Sequence, residues 1–367
     1  MGVPEGTVEE EHGRAGFAGP ASHLYRRHPP TDWLRVEGPA VHRAYDGRRL
    51  DPGTDLWPTA ILANDDVTVA VHALAVPYRD EFARNADGDE LHFVHEGTGV
   101  LRTEYGPLDY RPGHHLVVPR GTTRRFEPAT PTRLLTVEAR GGRYDLPDRG
   151  PLGRHAVFDP AVLDVPEPEG RDEAGEFVVV VKRLGADTRI TYPFHPCDVV
   201  GWKGDVAPVR LHVDDIRPVV SPRYHLPPSV HATFVAPGFV VATFAPRPVE
   251  SDPDAVRLPF FHRNVDYDEV LFYHRGEFSS RAGIEPGMLT HHPFGLHHGP
   301  HPAARRRDAE AAAAATAAQA AGEVPPPRVA DEVAVMVDAR RPLLVVAPAA
   351  ERLEVPGYVD GWSVPGP

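Results

Sequence analysis

The chain has a single cysteine, Cys197, among its 367 residues. One cysteine cannot form an intramolecular disulfide, and it cannot supply the several thiolates of a cysteine-based zinc site. Both kinds of cross-link are therefore excluded as supports of the fold. A chain that does without disulfides is typical of a reducing compartment, so we expect this protein to work in the cytoplasm.

Long apolar runs and an excess of positive charge are also missing. No segment reaches the roughly 20 apolar residues that a membrane-spanning helix needs. Residues 1–19 are acidic and lack an apolar core, so we expect no secretory signal. The 39 basic and 52 acidic side chains leave a net charge of −13, which disfavours a nucleic-acid surface. We therefore expect neither a membrane partner nor a nucleic-acid partner.

Glycine and proline, by contrast, are abundant, with 33 and 42 residues. Such frequent breakers favour short strands joined by turns over long helices. Apolar residues make up 41% of the chain, which is typical of a folded globular protein. A chain of this length has room for two domains. The predicted fold is mostly β, with two β-sandwich or barrel domains and few helices.

Strand-like segments lie in both halves of the chain, at 67–72, 91–95, 100–105, 116–119, 177–181, 239–244 and 333–337. We predict an N-terminal β-domain over 1–215 and a C-terminal β-domain over 216–367. The residues before about His23 look loose. The Ala-rich segment 302–328 is predicted to be a surface insertion, either helical or disordered, that carries no chemistry.

Three short segments of the N-terminal half resemble the two sequence motifs of a cupin barrel: 93–97, 110–115 and 118–121. In metal-binding cupins these motifs supply three histidines and a glutamate. Here His92, His95 and Glu96 have a different spacing, and the position of the last histidine falls in 122–124. We therefore predict a degenerate cupin without a metal, in which His95 and His114 are packing or surface residues.

The C-terminal half carries a different set of metal-ligating side chains. His262 is followed by Asp268 and Glu269, and His298 comes 36 residues after His262. Two histidines and one carboxylate are the ligand set of non-haem iron(II) oxygenases, which keep coordination positions open for substrate and O2. Neighbours on a strand point to opposite faces, so only one carboxylate can face the metal. We prefer Glu269, and Asp268 remains the alternative.

The segments around these residues resemble the homogentisate 1,2-dioxygenase family of the cupin superfamily. The similar segments are 101–107, 118–123, 196–202, 225–230, 262–269 and 298–300. Because several separated segments match in order, the resemblance extends over most of the chain, about 20–300 and again 331–346. It implies a bicupin-like fold in which only the C-terminal domain binds a metal.

The resemblance also implies roles for individual residues. Fe(II) would be held by the three ligands His262, Glu269 and His298. His225 would be the catalytic acid–base toward a substrate hydroxyl, and Asn264 and His292 would contact the substrate.

Two positions depart from the family pattern. The interval between His262 and Glu269 is one residue longer than in the animal enzymes, which keeps Asp268 open as the ligand. Phe278 stands where family members have a tyrosine near the substrate. The second departure concerns the choice of aromatic substrate more than the metal.

The implied activity is cleavage of the homogentisate ring by O2 to give maleylacetoacetate, a step of tyrosine and phenylalanine catabolism. The partners would be a small aromatic acid and O2, and the assembly a homo-oligomer, either a trimer or a hexamer. Two alternatives stay open. One is a cupin dioxygenase for another hydroquinone or a gentisate-like substrate, and the other is a non-catalytic bicupin binding protein.

Overall fold

A computed structural model of the protein describes residues 3–16, 19–223, 226–252, 260–278, 283–321 and 328–364. Strands dominate these ranges, as the sequence predicted. The strands are β1 (Val8–Gly13), β2 (Ala21–Arg26), β3 (Arg43–Asp46), β4 (Thr59–Ala63), β5 (Val67–Leu74), β6 (Phe82–Asn85), β7 (Asp89–Glu96), β8 (Gly99–Thr103), β9 (Gly106–Tyr110), β10 (His114–Val118), β11 (Thr123–Pro128), β12 (Thr132–Ala139), β13 (Ala174–Arg183), β14 (Ala186–Phe194), β15 (Val209–His212), β16 (Ala232–Ala236), β17 (Phe239–Phe244), β18 (Arg247–Pro248), β19 (Phe261–Asn264), β20 (Asp268–Gly276), β21 (Met288–His292), β22 (Val329–Ala330), β23 (Glu332–Ala339) and β24 (Leu344–Val345). The α-helices are α1 (Pro302–Ala320) and α2 (Ala349–Leu353), and the 3-10 helices are Gly47–Arg49, Gly150–Leu152, Pro160–Val162, Val213–Asp215, Pro228–His231 and Tyr358–Trp362.

The N-terminal half is a sandwich of two sheets. One sheet has seven strands in the order β15-β10-β7-β12-β5-β4-β24, and the other has six in the order β14-β13-β6-β11-β8-β9. Apolar side chains from both sheets meet in one buried cluster, which includes Leu101, Leu116 and Phe126. Burial of this cluster gives the N-terminal half a core of its own.

The C-terminal half contains a six-stranded sheet ordered β16-β17-β23-β20-β21-β3 and a three-stranded one ordered β19-β1-β2, and β18 pairs with β22 in a small two-stranded sheet. The alternation of side chains along β20 shows which face of the larger sheet packs on the apolar core. Val270 and Phe272 belong to the largest apolar cluster, together with Phe93 from the seven-stranded sheet. Glu269 directly precedes Val270 on the strand, so its side chain points to the opposite face.

The two ends of the chain cross between the halves. β1 pairs with β19 in parallel and β3 pairs with β21, so both N-terminal strands lie in C-terminal sheets. β24 pairs with β4 in the seven-stranded sheet. The expectation that the first residues are loose was wrong, because β1 and β2 form a hairpin there. The boundary at residue 215 stays a prediction, and strand pairing does not follow it at the termini.

The Ala-rich segment forms the helix α1, so the helical alternative is what the structure shows for 302–320. Its first turn packs against the protein. The Arg305 guanidinium pairs with Asp32 and lies 5.7 Å from the centre of the Phe261 ring. Within the described residues, neither α-helix is long and apolar enough to cross a membrane.

Candidate metal centre

His262, Glu269 and His298 meet between the six-stranded and the three-stranded sheet of the C-terminal half. His262 Nε2 lies 3.6 Å from Glu269 Oε2, and His298 Nε2 lies 3.5 Å from the same oxygen. One donor atom from each residue lies within 4.8 Å of the other two. Elsewhere in the described ranges, no other three His, Cys, Asp or Glu side chains come as close.

Backbone pairing explains why the two histidines share a face. The His262 N–H donates to the His298 carbonyl at 2.9 Å, and the His298 N–H donates back at 3.0 Å. Residues that exchange both hydrogen bonds in an antiparallel bridge project their side chains on the same side. Their ring centres are accordingly only 3.9 Å apart.

The two oxygens of the Glu269 carboxylate have different surroundings. Oε1 accepts a hydrogen bond from His292 Nδ1 at 2.8 Å, whereas Oε2 faces both His262 and His298. Burial alone would raise the pKa of Glu269. The positive field of His298 and the polar contacts with all three imidazoles outweigh it and hold that pKa well below its usual range. Glu269 is therefore a carboxylate with one oxygen directed at two imidazole nitrogens.

Asp268 is directed elsewhere. Its carboxylate accepts hydrogen bonds from the backbone N–H of Phe294 at 2.8 Å and of Leu343 at 2.7 Å. His291 Nε2 lies 3.1 Å from it on the same side of the strand. These contacts tie β20 to two loops, so Asp268 lies outside the three-residue cluster and Glu269 lies in it.

This donor set fits a divalent transition metal. Two imidazole nitrogens and one carboxylate oxygen are a ligand combination that iron(II) accepts. His298 is 1% exposed and Glu269 is 6% exposed, so they are shielded from bulk water. The three side chains could hold one ion, and the other coordination positions would remain for small molecules.

The other predicted site residues have different placements. Asn264 follows His262 by two residues on β19, so both side chains point to the same face of the strand. Asn264 is 5% exposed, and its Nδ2 makes no hydrogen bond to any described residue. His292 touches Glu269 and stacks on His298, with ring centres 4.6 Å apart. His225 lies outside the described residues.

Three contributors to the site were missed by sequence reasoning. Asp338 pairs in register with Glu269 on the neighbouring strand β23. Burial, and secondarily the charge of Glu269, raises the pKa of Asp338 well above its usual range. His42 donates through Nε2 to the carbonyl of His297 at 3.0 Å, and Tyr358 approaches His292. These residues come from distant parts of the chain, and no local motif marks them.

The N-terminal sandwich contains an ion pair at the position where its motif lacks a histidine. The Arg124 guanidinium donates two hydrogen bonds of 2.7 Å to the Glu90 carboxylate, and both residues are buried. Burial opposes ionisation of Glu90, but the charge of Arg124 holds the pKa of Glu90 well below its usual range. A buried arginine therefore lies where the cupin motif would place its last histidine.

His95 and His114, which we predicted to be packing or surface residues, are both buried. His95 Nδ1 lies 3.0 Å from His274 Nδ1, so this pair links the N-terminal and C-terminal halves. His114 Nδ1 accepts the backbone N–H of Arg111, and its ring packs edge-on against His212. These contacts agree with packing roles.

Comparison with known proteins gave two family matches, "Homogentisate 1,2-dioxygenase N-terminal" over residues 59–213 and "Homogentisate 1,2-dioxygenase C-terminal" over residues 223–364. A protein of Saccharolobus solfataricus that is provisionally named a dioxygenase is 30% identical, over 96% of this chain and 92% of its own. The homogentisate 1,2-dioxygenase of Bradyrhizobium diazoefficiens is 29% identical over 85% of this chain and 69% of its own.

Among solved structures, a cupin 2 conserved barrel domain protein from Leptotrichia buccalis aligns with 84% of this chain and 99% of its own. Its sequence identity is 10% and its TM-score is 0.34.

Proposed function

Because the chain belongs to the homogentisate 1,2-dioxygenase family, we propose that it is a non-haem Fe(II) dioxygenase that cleaves the ring of homogentisate with O2. The product would be maleylacetoacetate. The observation that carries this proposal is the buried cluster of His262, Glu269 and His298 within the segment that matches the C-terminal family domain.

The charge of the cluster suits a phenolic substrate. When bound, Fe(II) supplies a Lewis acid and a template that orients the reactants. Two neutral imidazoles and one carboxylate carry a single negative charge, so a divalent ion would leave the site with a net positive charge. That excess favours a deprotonated ring hydroxyl over a neutral one. The ligand set thus helps to make the ring electron-rich.

Other side chains would bind the substrate and move its proton. We assign the acceptor of the hydroxyl proton to His225, on the family resemblance. The Asn264 amide is buried and its N–H groups have no described partner, so it can donate to a substrate oxygen. Donation from a fixed amide would orient the ring relative to the three ligands.

One observation favours a second candidate substrate. Phe278 is buried and packs edge-on against Tyr273, with ring centres 4.8 Å apart. A phenylalanine offers no hydroxyl for the side-chain carboxylate of homogentisate. A gentisate-like acid or another hydroquinone is therefore the second candidate. A bicupin binding protein without catalysis is the remaining alternative.

A substrate panel tests the proposal. The Fe(II)-loaded enzyme would be assayed for O2 consumption with homogentisate, gentisate and hydroquinone. We expect the highest kcat/KM with homogentisate. A higher value with gentisate would transfer the assignment to the second candidate, and no turnover with any of the three by iron-loaded protein would favour a binding protein. The cytoplasmic location and the trimeric or hexameric assembly stay predictions.

A further inference from the structure

The 3-10 helix Tyr358–Trp362 lies against the metal centre, although it comes about 60 residues after His298 in the chain. Trp362 is fully buried, and its indole N–H donates to the carbonyl of Gly299 at 3.1 Å. Gly299 directly follows the ligand His298. One short C-terminal segment therefore fixes the backbone that presents a metal ligand.

The same helix reaches the carboxylate side of the centre through Tyr358. The Tyr358 hydroxyl lies 3.5 Å from His292 Nε2. The two rings are nearly parallel, at 19°, and their centres are 6.5 Å apart, so they lie side by side rather than face to face. This arrangement brings the hydroxyl toward the edge of the imidazole, where its nitrogen can accept a hydrogen bond.

The protonation of His292 follows from its partners. A carboxylate only accepts hydrogen bonds, so the nitrogen 2.8 Å from Glu269 Oε1 must be the N–H. In the neutral ring Nε2 is then the acceptor, and the Tyr358 hydroxyl is the donor. The result is a directed chain from Tyr358 through His292 to Glu269, in which each group sets the orientation of the next.

We propose that Tyr358 is a positioning residue for the metal-binding carboxylate. By holding His292 in one tautomer and one rotamer, it keeps Oε1 of Glu269 occupied and leaves Oε2 to face the two histidine ligands. This inference rests on the metal role that we propose for Glu269. It adds the reason why that carboxylate offers a single oxygen to an ion.

The consequence concerns the orientation of the carboxylate. If the hydrogen bond to Oε1 is lost, the Glu269 carboxylate can rotate, and Oε2 is no longer held toward His262 and His298. Groups that orient metal ligands in this way typically change metal affinity or activity by about 10- to 100-fold when they are removed. Tyr358 acts on Glu269 through His292, so its effect should lie at the lower end of that range.

The test compares Tyr358→Phe with a matched control, Tyr45→Phe. Tyr45 is fully buried on β3 of the same sheet as Glu269, and its hydroxyl makes no hydrogen bond to any described residue. Each variant would be titrated anaerobically with Fe(II) against a competing chelator, and with Co(II) while its d–d absorption is recorded. We expect Y358F to weaken Fe(II) binding about tenfold and to alter the Co(II) band. Y45F should change neither.

A second pair of variants separates positioning from simple packing. His292→Asn keeps an amide N–H near the position of Nδ1 but cannot accept from Tyr358, whereas His292→Leu removes both contacts. We expect H292N to bind Fe(II) more tightly than H292L, and Y358F to weaken binding no further in the H292N background.

Two results would overturn the inference. One is Fe(II) affinity and a Co(II) spectrum of Y358F that match those of Y45F. The other is an equal loss of affinity from Y358F with and without H292N. These binding measurements do not depend on turnover. An affinity loss specific to Y358F in a protein that oxidises no aromatic acid would support the role of Tyr358 while contradicting the proposed function.

Discussion

Asp268 and Glu269 are neighbours on β20, and their carboxylates lie on opposite faces of the strand with different partners. Asp268 accepts backbone hydrogen bonds from Phe294 and Leu343, whereas Glu269 faces His262 and His298. Strand alternation therefore separates a structural acid from a candidate metal ligand at adjacent positions. The sequence alone left these two residues as alternatives.

Substitution of Glu269, but not of Asp268, should weaken metal binding. Glu269→Gln removes the anionic oxygen that faces both histidines, so Fe(II) binding should fall at least 100-fold. Asp268→Asn should keep one bound iron per chain. It should lower the free energy of unfolding by about 1–3 kcal/mol, because an amide replaces the acceptor of two backbone N–H groups. Metal analysis and urea unfolding of both variants check this.

Loss of iron from D268N together with retention of iron by E269Q would make Asp268 the ligand. His298→Ala serves as a positive control, because it should lose iron as E269Q does.

His225→Ala should retain iron and lose turnover. The residue is assigned as the acceptor of the substrate hydroxyl proton and is not among the ligands, so its removal should leave the metal affinity within about twofold. General acid–base catalysis typically contributes about 10²- to 10⁴-fold, so kcat should drop by a factor in that range. Parallel measurement of iron content and kcat separates the two roles. A wild-type kcat in H225A would remove His225 from the proton transfer.

Removal of one partner of the Arg124–Glu90 pair should strongly lower the free energy of unfolding. Arg124→Met leaves a buried, unpaired carboxylate, and loss of one partner of such a pair typically costs about 3–5 kcal/mol. Replacing both residues with apolar ones should recover much of that loss. Glu37→Gln is the control, because Glu37 pairs with Arg35 at the surface, where ion pairs contribute about 0–1 kcal/mol. A loss below 1 kcal/mol in R124M by denaturant unfolding would contradict this account.

Buried neutral histidines should make the fold sensitive to mild acid. Burial lowers the pKa of His72, His115 and His274 to about 3, against about 6.5 in an unfolded chain. The unfolded state therefore binds more protons below pH 6.5, and stability should be full above that pH and fall as the pH drops toward 3. For each pH unit of the drop, each such histidine should lower the free energy of unfolding by up to about 1.4 kcal/mol.

The measurement is the free energy of unfolding at pH 7, 6 and 5. His115→Asn should make its pH dependence less steep, whatever the change in absolute stability. His155→Asn is the control, because that side chain is 70% exposed and should leave the slope unchanged. Equal slopes in wild type and H115N would show that His115 titrates normally in the folded protein.

Much of the fold could be predicted because its signals are local. Alternating apolar and polar residues marked the strand β5, and the many glycines and prolines indicated short elements. The hairpin of β1 and β2 was missed because β1 reads Val-Glu-Glu-Glu-His-Gly, which lacks the alternation of a half-buried strand. Glu10 on that strand is fully buried and is paired with Arg26 and with His297, so charge rather than apolar surface fixes it.

The candidate site was likewise predicted only in part. His262, Glu269 and His298 could be proposed from their chemistry and spacing, and the structure brings them together. Tyr358, Asp338 and His42 could not be proposed, because their proximity depends on how the chain ends return to the C-terminal sheet. Contacts over such sequence separations leave no periodic or motif signal in a single sequence.

The most direct test of the proposed function is the stoichiometry of O2 uptake by protein loaded anaerobically with Fe(II). With a limiting amount of homogentisate, we predict one O2 consumed per homogentisate, together with the absorbance of maleylacetoacetate. The E269Q variant should show neither signal. Iron-loaded wild-type protein that consumes no O2 with homogentisate would contradict the assignment of the substrate.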